Sequence, residues 1–299
     1  MIDVIIPVYN SGKNIGKTLN SLLSQVNYKD LCIYIIDDCS SEDYTDILNH
    51  YKKYLNITYH KLDKNSGPGI ARNYGLEHSN NEYVVFLDSD DEFYKNDSIS
   101  TLLKNIENYD MVLGKIQQMI NDNYIVRFHE GCLHGKMYRR SFLEKNNIKF
   151  PAIRTHEDNV FNRLCLAFTN NINMIDDIIY RYNDTENSIT NTESRIISFK
   201  CYILAMNYLF DEIKKHDEVN LERVGETIFS VMMSLYHNYL LHKDEYEFCF
   251  KELSYLKNMY NEYNTCIDDS RKLRIFKNFN YPVKPDMTFY EFINKIEDK

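Results

Sequence analysis

The chain has 299 residues, 43% of them hydrophobic, and its 44 acidic against 35 basic side chains give a formal net charge of −9. That length supports a large core in one big domain or two smaller ones. The acidic balance argues against an extended nucleic-acid footprint, with Arg271, Lys272, Arg274, Lys277 and Lys284 as one locally basic stretch, read as solvated surface.

No apolar run approaches the roughly 18 residues of a membrane span, and Met1-Ile2-Asp3 opens on a strand pattern without a basic leader. The expectation is a cytoplasmic protein whose contact with any membrane is peripheral. Residues 4–7 form a short apolar strand, and Ile15, Leu19, Leu22, Leu23 and Val26 then recur at helical spacing. Residues 31–36 are the second strand, with Ser40 and Ser41 as candidate caps for a helix whose face is Tyr44, Ile47, Leu48 and Tyr51. A third strand at 57–62, a helix at 70–78 and a fourth strand at 84–87 complete a βαβαβαβ order. Such alternation implies a mostly parallel sheet covered on both faces. After a helix carrying Ile99, Leu102, Leu103 and Ile106, residues 111–118 and 124–128, joined by Asn121-Asp122-Asn123, predict a hairpin. A helix at 158–168 and a strand at 178–182 close this part. From about Arg195 the period is helical, with Val224, Ile228, Val231, Leu235 and Tyr239 stepping by four and three. Seven cysteines form no C-x-x-C pair, and most, such as Cys32 and Cys165, lie in apolar surroundings, so reduced core thiols are expected.

Residues 84–92, VVFLDSDDE, end an apolar strand in a burst of carboxylates. Carboxylates at the C-terminal edge of a parallel sheet lie where such folds bind ligands. Two acids one residue apart, Asp88 and Asp90, can hold a hard divalent cation that in turn holds nucleotide phosphates. An EF-hand is excluded, because the sixth and twelfth positions counted from Asp88 are Phe93 and Ile99 where Gly and Glu are needed. A D-x-D phosphatase of the haloacid dehalogenase type is the enzymatic rival, although its pattern continues with Gly and then Thr or Val where this chain has Asp91 and Glu92. Three further loops should meet Asp88-Ser89-Asp90 at that edge. Pro7-Val8-Tyr9-Asn10 ends a ladder and frees backbone groups and a ring for a ligand. Asp37-Asp38-Cys39-Ser40 offers a carboxylate to the imide N–H of a uracil, and Asn65-Ser66-Gly67-Pro68-Gly69 leads into a helix with Arg72 and Asn73.

The pieces IIPVYN, IIDDCSSED, NSGPGIARNYG and VVFLDSDDEF, in this order and spacing, resemble the GT-A glycosyltransferases of family 2, which use nucleotide-diphosphate sugars. The resemblance covers about residues 1–190 and implies an α/β, Rossmann-like fold followed by a helical C-terminal extension. It disposes of the phosphatase, whose D-x-D sits on the first strand of its fold, whereas here it ends the fourth. By this resemblance Pro7, Tyr9 and Asn10 line the nucleoside pocket, Asp38 reads the base, and Asn65 and Ser89 belong to the donor loops. Arg72 lies near the diphosphate, where a guanidinium can neutralise oxygens bidentately. Asp88 binds ribose or water in the metal shell, and Asp90 ligates Mn2+ or Mg2+ directly. HGKMYRRSFL at 134–143 resembles a family segment in which His134 stands at a variable position. It is read as an acceptor contact or a third metal ligand, with a structural histidine equally open; Met137, Phe142 and Leu143 read as core. Residues 155–161, THEDNVF, fit the family's ED-x-x-F, with Asp158 as general base and Glu157 contacting or orienting the acceptor. Taken alone, two acids at a helix start are dipole partners.

The expected organisation is a GT-A domain at 1–194 and a helical region at 195–299 serving acceptor engagement or oligomerisation. The expected activity is metal-dependent, inverting transfer from a nucleotide-sugar donor, a UDP-sugar because Asp38 suits uracil. The acceptor by family is a bacterial surface glycan such as capsule, lipopolysaccharide or teichoic acid. One alternative is transfer to a hydroxylated base of viral DNA, which the net charge disfavours, so nucleic acid is the lesser partner. Another is a catalytically inactive glycan- or nucleotide-binding protein, which intact Asp38, Asp88, Asp90 and Asp158 disfavour.

Overall fold

The computed structural model of the protein describes residues 1–120, 123–129, 131–183, 195–278 and 287–296. Its first half follows the alternation of apolar runs: β1 (Ile2–Val8), α1 (Ile15–Leu23), β2 (Leu31–Asp37), α2 (Thr45–Tyr51), β3 (Asn56–Lys61), α3 (Pro68–His78) and β4 (Tyr83–Phe86). β1 is buried along its whole length, as a strand flanked on both sides and covered on both faces must be. It pairs in parallel with β2 and β4, and β3 adds to β2 as the sheet's edge. Then come β5 (Glu92–Phe93), α4 (Ser98–Asn105), β6 (Met111–Ile120), β7 (Asn123–Arg127), β8 (Lys136–Arg139), α5 (Arg140–Lys145), α6 (Glu157–Phe168) and β9 (Ile172–Tyr182). The strand order is β3-β2-β1-β4-β8-β6-β9-β5, with β7 paired to β6. The half built on β1 to β4 is parallel, as expected. Beyond it β8 runs antiparallel to both β4 and β6, β5 runs antiparallel to β9, and β6 and β9 are parallel, so the whole sheet is mixed.

Val4, Ile6, Ile33, Ile35, Val85 and Leu87 gather against Ile15, Leu19 and Leu22 of α1 and Ile99 and Leu102 of α4. Each such side chain contributes about 1.5–3 kcal/mol by leaving water. Pro7 fits inside β1 because the ladder to β4 stops at Ile5↔Phe86, with the Leu87 N–H donating to the Ile5 carbonyl. Alternate residues aim their polar groups to one side, so a donor at position 7 would face past the end of β4. The ladder to β2 continues on the other side, where the Asp38 N–H donates to the Val8 carbonyl at 2.8 Å. Thus Pro7 ends only one of the two ladders.

Several local expectations need correction. Ser40 and Ser41 do not cap α2, whose N-cap is Tyr44 without a side-chain bond, because the Ser40 hydroxyl accepts the Asn10 N–H at 2.9 Å instead. The α1 face stops at Leu23, and Val26 is 63% exposed, its N–H turned to the Asn96 carbonyl. The hairpin forms, with β6 and β7 paired from Ile116↔Arg127 to Ile120↔Asn123, while Asn121 and Asp122 lie outside the described residues. β5, β8 and α5 had no sequence expectation, and β9 begins six residues before the predicted strand.

The described chain divides into two compact units, one of Met1–Asn162 with Asn170–Thr192, the other of Arg163–Thr169 with Glu193–Lys299. The second is helical, with helices at Arg195–Ile213, Leu221–Leu241, Ser254–Tyr263, Asp269–Asn278 and Phe289–Lys295. Val224, Ile228, Val231, Leu235 and Tyr239 are all at most 1% exposed, so the stepped period is the buried face of the longest of these helices. Arg271 and Arg274 of the basic stretch pair with Glu222 and Glu226, and Lys284 lies outside the described residues. No described helix is long and apolar enough to cross a membrane. Cys32, Cys132 and Cys165 are buried and in no disulfide.

Candidate active site

The C-terminal ends of β1, β2 and β4 and the loop before α3 converge on one edge. The Asn10 backbone is left-handed at φ 49°, a conformation that asparagine tolerates. Its amide oxygen accepts the Ser41 N–H at 2.9 Å, fastening the first loop to the second. The Ser11 hydroxyl accepts from Ser89 at 2.7 Å, fastening the first to the fourth. Tyr9 stays 51% exposed and Asn65 is exposed, both free to meet a ligand at this edge. Asp38 behaves differently from the expectation. Its carboxylate is 3% exposed, and its two oxygens accept the Ser66 and Gly67 N–H groups, each at 2.7 Å. It therefore holds the third loop in place, at Gly67 with φ 89°, where a side chain would be strained.

The fourth loop is a turn, with the Asp91 N–H donating to the Asp88 carbonyl at 3.1 Å. That reversal brings residues 88 and 91 together, where an extended D-x-D would have paired 88 with 90. Ligand atoms of Asp88, Asp91 and His134 lie within 4.8 Å of one another, and Asp90 is outside this cluster. Asp90 is half-buried, its carbonyl accepting from the Asn183 side chain at 2.9 Å. Two carboxylates and an imidazole are a donor set that suits a divalent cation such as Mn2+. Asp91 is 1% exposed and accepts from the Tyr180 hydroxyl at 2.8 Å and the Asn183 N–H at 2.7 Å. His134 stacks on the Tyr180 ring at 4.7 Å and reaches Asp88 with Nε2 at 3.2 Å.

Arg72 is 4% exposed. One terminal nitrogen donates to Asp88 Oδ1 at 2.7 Å and the other to Glu157 Oε1 at 2.8 Å. Its guanidinium lies 5.5 Å from the Phe150 ring centroid, and its Nε is buried without a hydrogen-bond partner. Glu157 and Asp158 open α6, and His156 before them has φ 69°, uncommon for so bulky a side chain. The helix can approach because residue 69 is glycine: a Cβ there would stand 2.9 Å from Glu157 Cγ.

Charge is distributed unevenly among these groups. Against the effect of its burial, Arg72 and His134 hold the Asp88 carboxyl well below the usual carboxylate range. Burial pushes Asp91 well above that range, with His134 opposing. Burial likewise pushes Glu157 up to about 7, Arg72 opposing and Asp158 adding. Asp158 is raised as well, first by burial, with Arg72 opposing; one oxygen accepts the Asn159 N–H at 2.7 Å. Although burial works against a charged imidazole, Cys132 and Asp88 push His134 well above its ordinary value.

Sequence reasoning passed over Asp91, Cys132 and Tyr180. Asp91 stood inside the acidic burst. The other two carry no motif and reach the site through β8 and β9, whose pairing is long-range. Met137, Phe142 and Leu143 are core, at 0%, 5% and 4% exposed.

The family model described as "Glycosyl transferase family 2" matches residues 3–163. Among similar proteins, the poly(ribitol-phosphate) beta-N-acetylglucosaminyltransferase TarS of Staphylococcus aureus is 31% identical over 199 residues, 60% of this chain and 35% of that protein. The chain thus spans about a third of this relative's length. The putative teichuronic acid biosynthesis glycosyltransferase TuaG of Bacillus subtilis is 39% identical over 179 residues, 53% of this chain and 69% of that one. The crystal structure of S. aureus TarS 1–349 superposes with a TM-score of 0.73 at 20% identity, covering 99% of this chain and 88% of that one, and shares its GT-A fold. The same fragment in complex with UDP-GlcNAc gives 0.67 at 22% identity, over 90% and 82% of the two chains. A mannosyltransferase of Pyrobaculum calidifontis in complex with GDP-Man and Mn2+ gives 0.56 at 14% identity, over 93% and 79%.

Proposed function

The chain belongs to glycosyl transferase family 2, and from that premise we propose that it is a glycosyltransferase that moves a sugar from a UDP-sugar, with a divalent cation and inversion of configuration, to a hydroxyl of a bacterial surface glycan. The observation that carries this reading is the buried bridge in which Arg72 spans Asp88, at the end of β4, and Glu157, at the start of α6. It sets the acidic turn of the donor edge beside the carboxylates of the ED-x-x-F segment. The relatives named for poly(ribitol-phosphate) and teichuronic acid support the acceptor class, and the UDP-GlcNAc complex of one of them supports the donor.

In this reading Tyr9, Asn10 and Pro7 border the nucleoside, with Asn65 and Ser89 on the neighbouring loops. Asp38 serves the base by holding Ser66 and Gly67 in place. Asp88 and His134, with Asp91 behind them, would hold Mn2+ or Mg2+; Asp90, the ligand expected from the motif, is the rival for that place. A bound cation would offset charge growing on the departing diphosphate. Asp158 takes the proton from the acceptor hydroxyl as its oxygen attacks the anomeric carbon from the face opposite the diphosphate, which inverts that centre. Burial raises its pKa, which makes the carboxylate a stronger base than a free one. Glu157, held by Arg72, orients Asp158 and borders the acceptor. The helical region from 195 onward is assigned to acceptor engagement or self-association.

Release of UDP from UDP-GlcNAc, with and without Mn2+ and with a ribitol-phosphate polymer as acceptor, tests the reading. Mn2+-dependent release that the polymer accelerates is expected. Release unaffected by the ion would remove the metal, and no release from any UDP-sugar would remove the donor class. Titrating Mn2+ into Asp90→Asn and His134→Ala separates the two ligand sets, since the variant that loses affinity identifies the ligand.

A further inference from the structure

Arg72 is the only basic side chain shown with direct ion pairs to both the Asp88 turn and the ED-x-x-F pair among the described residues, and it is almost wholly enclosed. Each terminal nitrogen donates to a carboxylate, and at 4% exposure little of the group is open to a diphosphate even though Nε has no partner. Its surroundings serve a fixed geometry. The guanidinium lies over Phe150, and Phe150 stacks at 4.1 Å and 7° on Phe161, one turn into α6. One turn before Arg72 on α3, Gly69 admits the Glu157 side chain at a separation too short for any other residue. The start of α6 is therefore located by α3 at two points, a close approach at Gly69 and a charged fork at Arg72. It needs locating, because His156 enters the helix in a left-handed conformation that would relax if the first turn were released.

We infer that Arg72 is a positioning residue for the transfer step: by bridging Asp88 and Glu157 it fixes the first turn of α6, and with it Asp158, relative to the donor edge, in place of binding the diphosphate. The inference rests on the reading of Asp158 as the base. A displacement of about 1 Å of a catalytic group can cost on the order of 10²-fold in rate. Losing the fork should therefore appear in kcat, while donor affinity stays nearly constant. Lysine keeps the charge beside Asp88 but cannot span both carboxylates, so Arg72→Lys removes the bridge without stranding a buried charge beside the turn.

The experiment compares the full-length wild type, Arg72→Lys, Glu157→Gln and the double variant by three measurements. These are amide hydrogen exchange over residues 159–161, UDP affinity in the presence of Mn2+ by calorimetry, and kcat for UDP release from UDP-GlcNAc. The inference expects Arg72→Lys to stay folded, to exchange at least tenfold faster in the first turn of α6, and to bind UDP within about threefold of wild type. It expects kcat to fall about 10²-fold, with little further loss on adding Glu157→Gln, because both changes break the same bridge. Unchanged exchange in α6 together with UDP affinity weakened tenfold or more would overturn it in favour of a diphosphate ligand. Losses that multiply in the double variant would also overturn it. If Arg72→Lys fails to fold, Gly69→Ala presses on Glu157 from the other contact and must show the same pattern. A wild type that releases no UDP would sink the functional reading alone, since hydrogen exchange still decides whether Arg72 fixes α6.

Discussion

Asp88 and Asp91 stand on one turn, yet their surroundings shift their carboxyls in opposite directions. Against its burial, Arg72 holds the Asp88 carboxyl low, whereas burial pushes Asp91 up, with His134 opposing and Asp88 adding. The same contrast separates a role from a mere location for the ED-x-x-F pair. If Asp158 is the base, Asp158→Asn lowers transfer roughly 10²–10⁴-fold, the usual worth of a positioned base. Its melting temperature should hold or rise, because burial already disfavours the charge that the amide removes. A lowered melting temperature with near-normal turnover would make it a dipole partner of α6. Glu157 yields a pH test. Its folded pKa of about 7 lies above the ordinary value of 4.5, so between these values the folded state binds the proton more tightly. Stability from this group is present below about 4.5 and is lost as pH rises through about 7. Glu157→Gln cannot titrate, so its melting temperature should gain on wild type between pH 5 and pH 8; an unchanged or reversed difference would refute the burial assigned to this carboxyl. Asp88, Arg72, Glu157 and Asp158 were legible from sequence because each sits in a motif at a sheet edge or helix start. The bridge among them was not, since no spacing reveals that residues 72 and 157 meet. The turn that brings Asp91 beside Asp88 was hidden too, because an i to i+3 reversal leaves no trace in an acidic run.

At the scale of elements, apolar runs and the turn-flanked hairpin were readable, and short strands without either signal were not. β1, β2 and β4 announce themselves, whereas β5 has two residues and β8, KMYR, carries a charged Lys136 that is 2% exposed. That lysine lies inside because its ammonium donates to the backbone carbonyls of His129 and Cys132. α3 is a different case, since its inward residues are Gly69, Ala71, Arg72 and Gly75, and no apolar stripe marks its face. It starts at Pro68, two residues before the predicted 70, with proline at the first turn as the signal of that earlier start. Gly75 explains why small residues are needed: a Cβ there would stand 2.5 Å from Ile5 Cγ2 in the central strand. Gly75→Ala should therefore destabilise by about 1–3 kcal/mol, as overpacking does. It acts despite the better helix propensity of alanine. Urea unfolding at unchanged m-value would measure this, and a stabilised variant would mean that α3 shifts freely over β1.

Over the whole molecule, the division into two units cuts through one helix. Residues Glu157 to Asn162 of α6 belong to the first unit and the remainder to the second, whereas the sequence pattern had placed the boundary at 194 and 195. The sequence marks where the long helical period begins. It could not show that a segment thirty residues earlier folds with it, because that grouping depends on tertiary contacts. Within the second unit, Leu164, Cys165 and Ala167 are at most 3% exposed, the Asn220 N–H donates to the Ala167 carbonyl at 2.8 Å, and the His216 ring lies 4.5 Å from that of Phe168. Truncation after residue 194 removes these partners and leaves the C-terminal half of α6 with bare apolar surface. The donor loops all precede it, so such a fragment should keep UDP affinity within about tenfold where it stays soluble. Its α6, however, carries Glu157 and Asp158 on the first turn, and short helices without tertiary support are marginal in water. Fraying from the C-terminal end should therefore reach the proposed catalytic pair, lowering UDP release from UDP-GlcNAc far more than UDP binding, with faster amide exchange over residues 159–168. A soluble fragment with wild-type turnover and unchanged exchange would show that α6 stands without the second unit, and would confine the helical region to acceptor engagement or self-association.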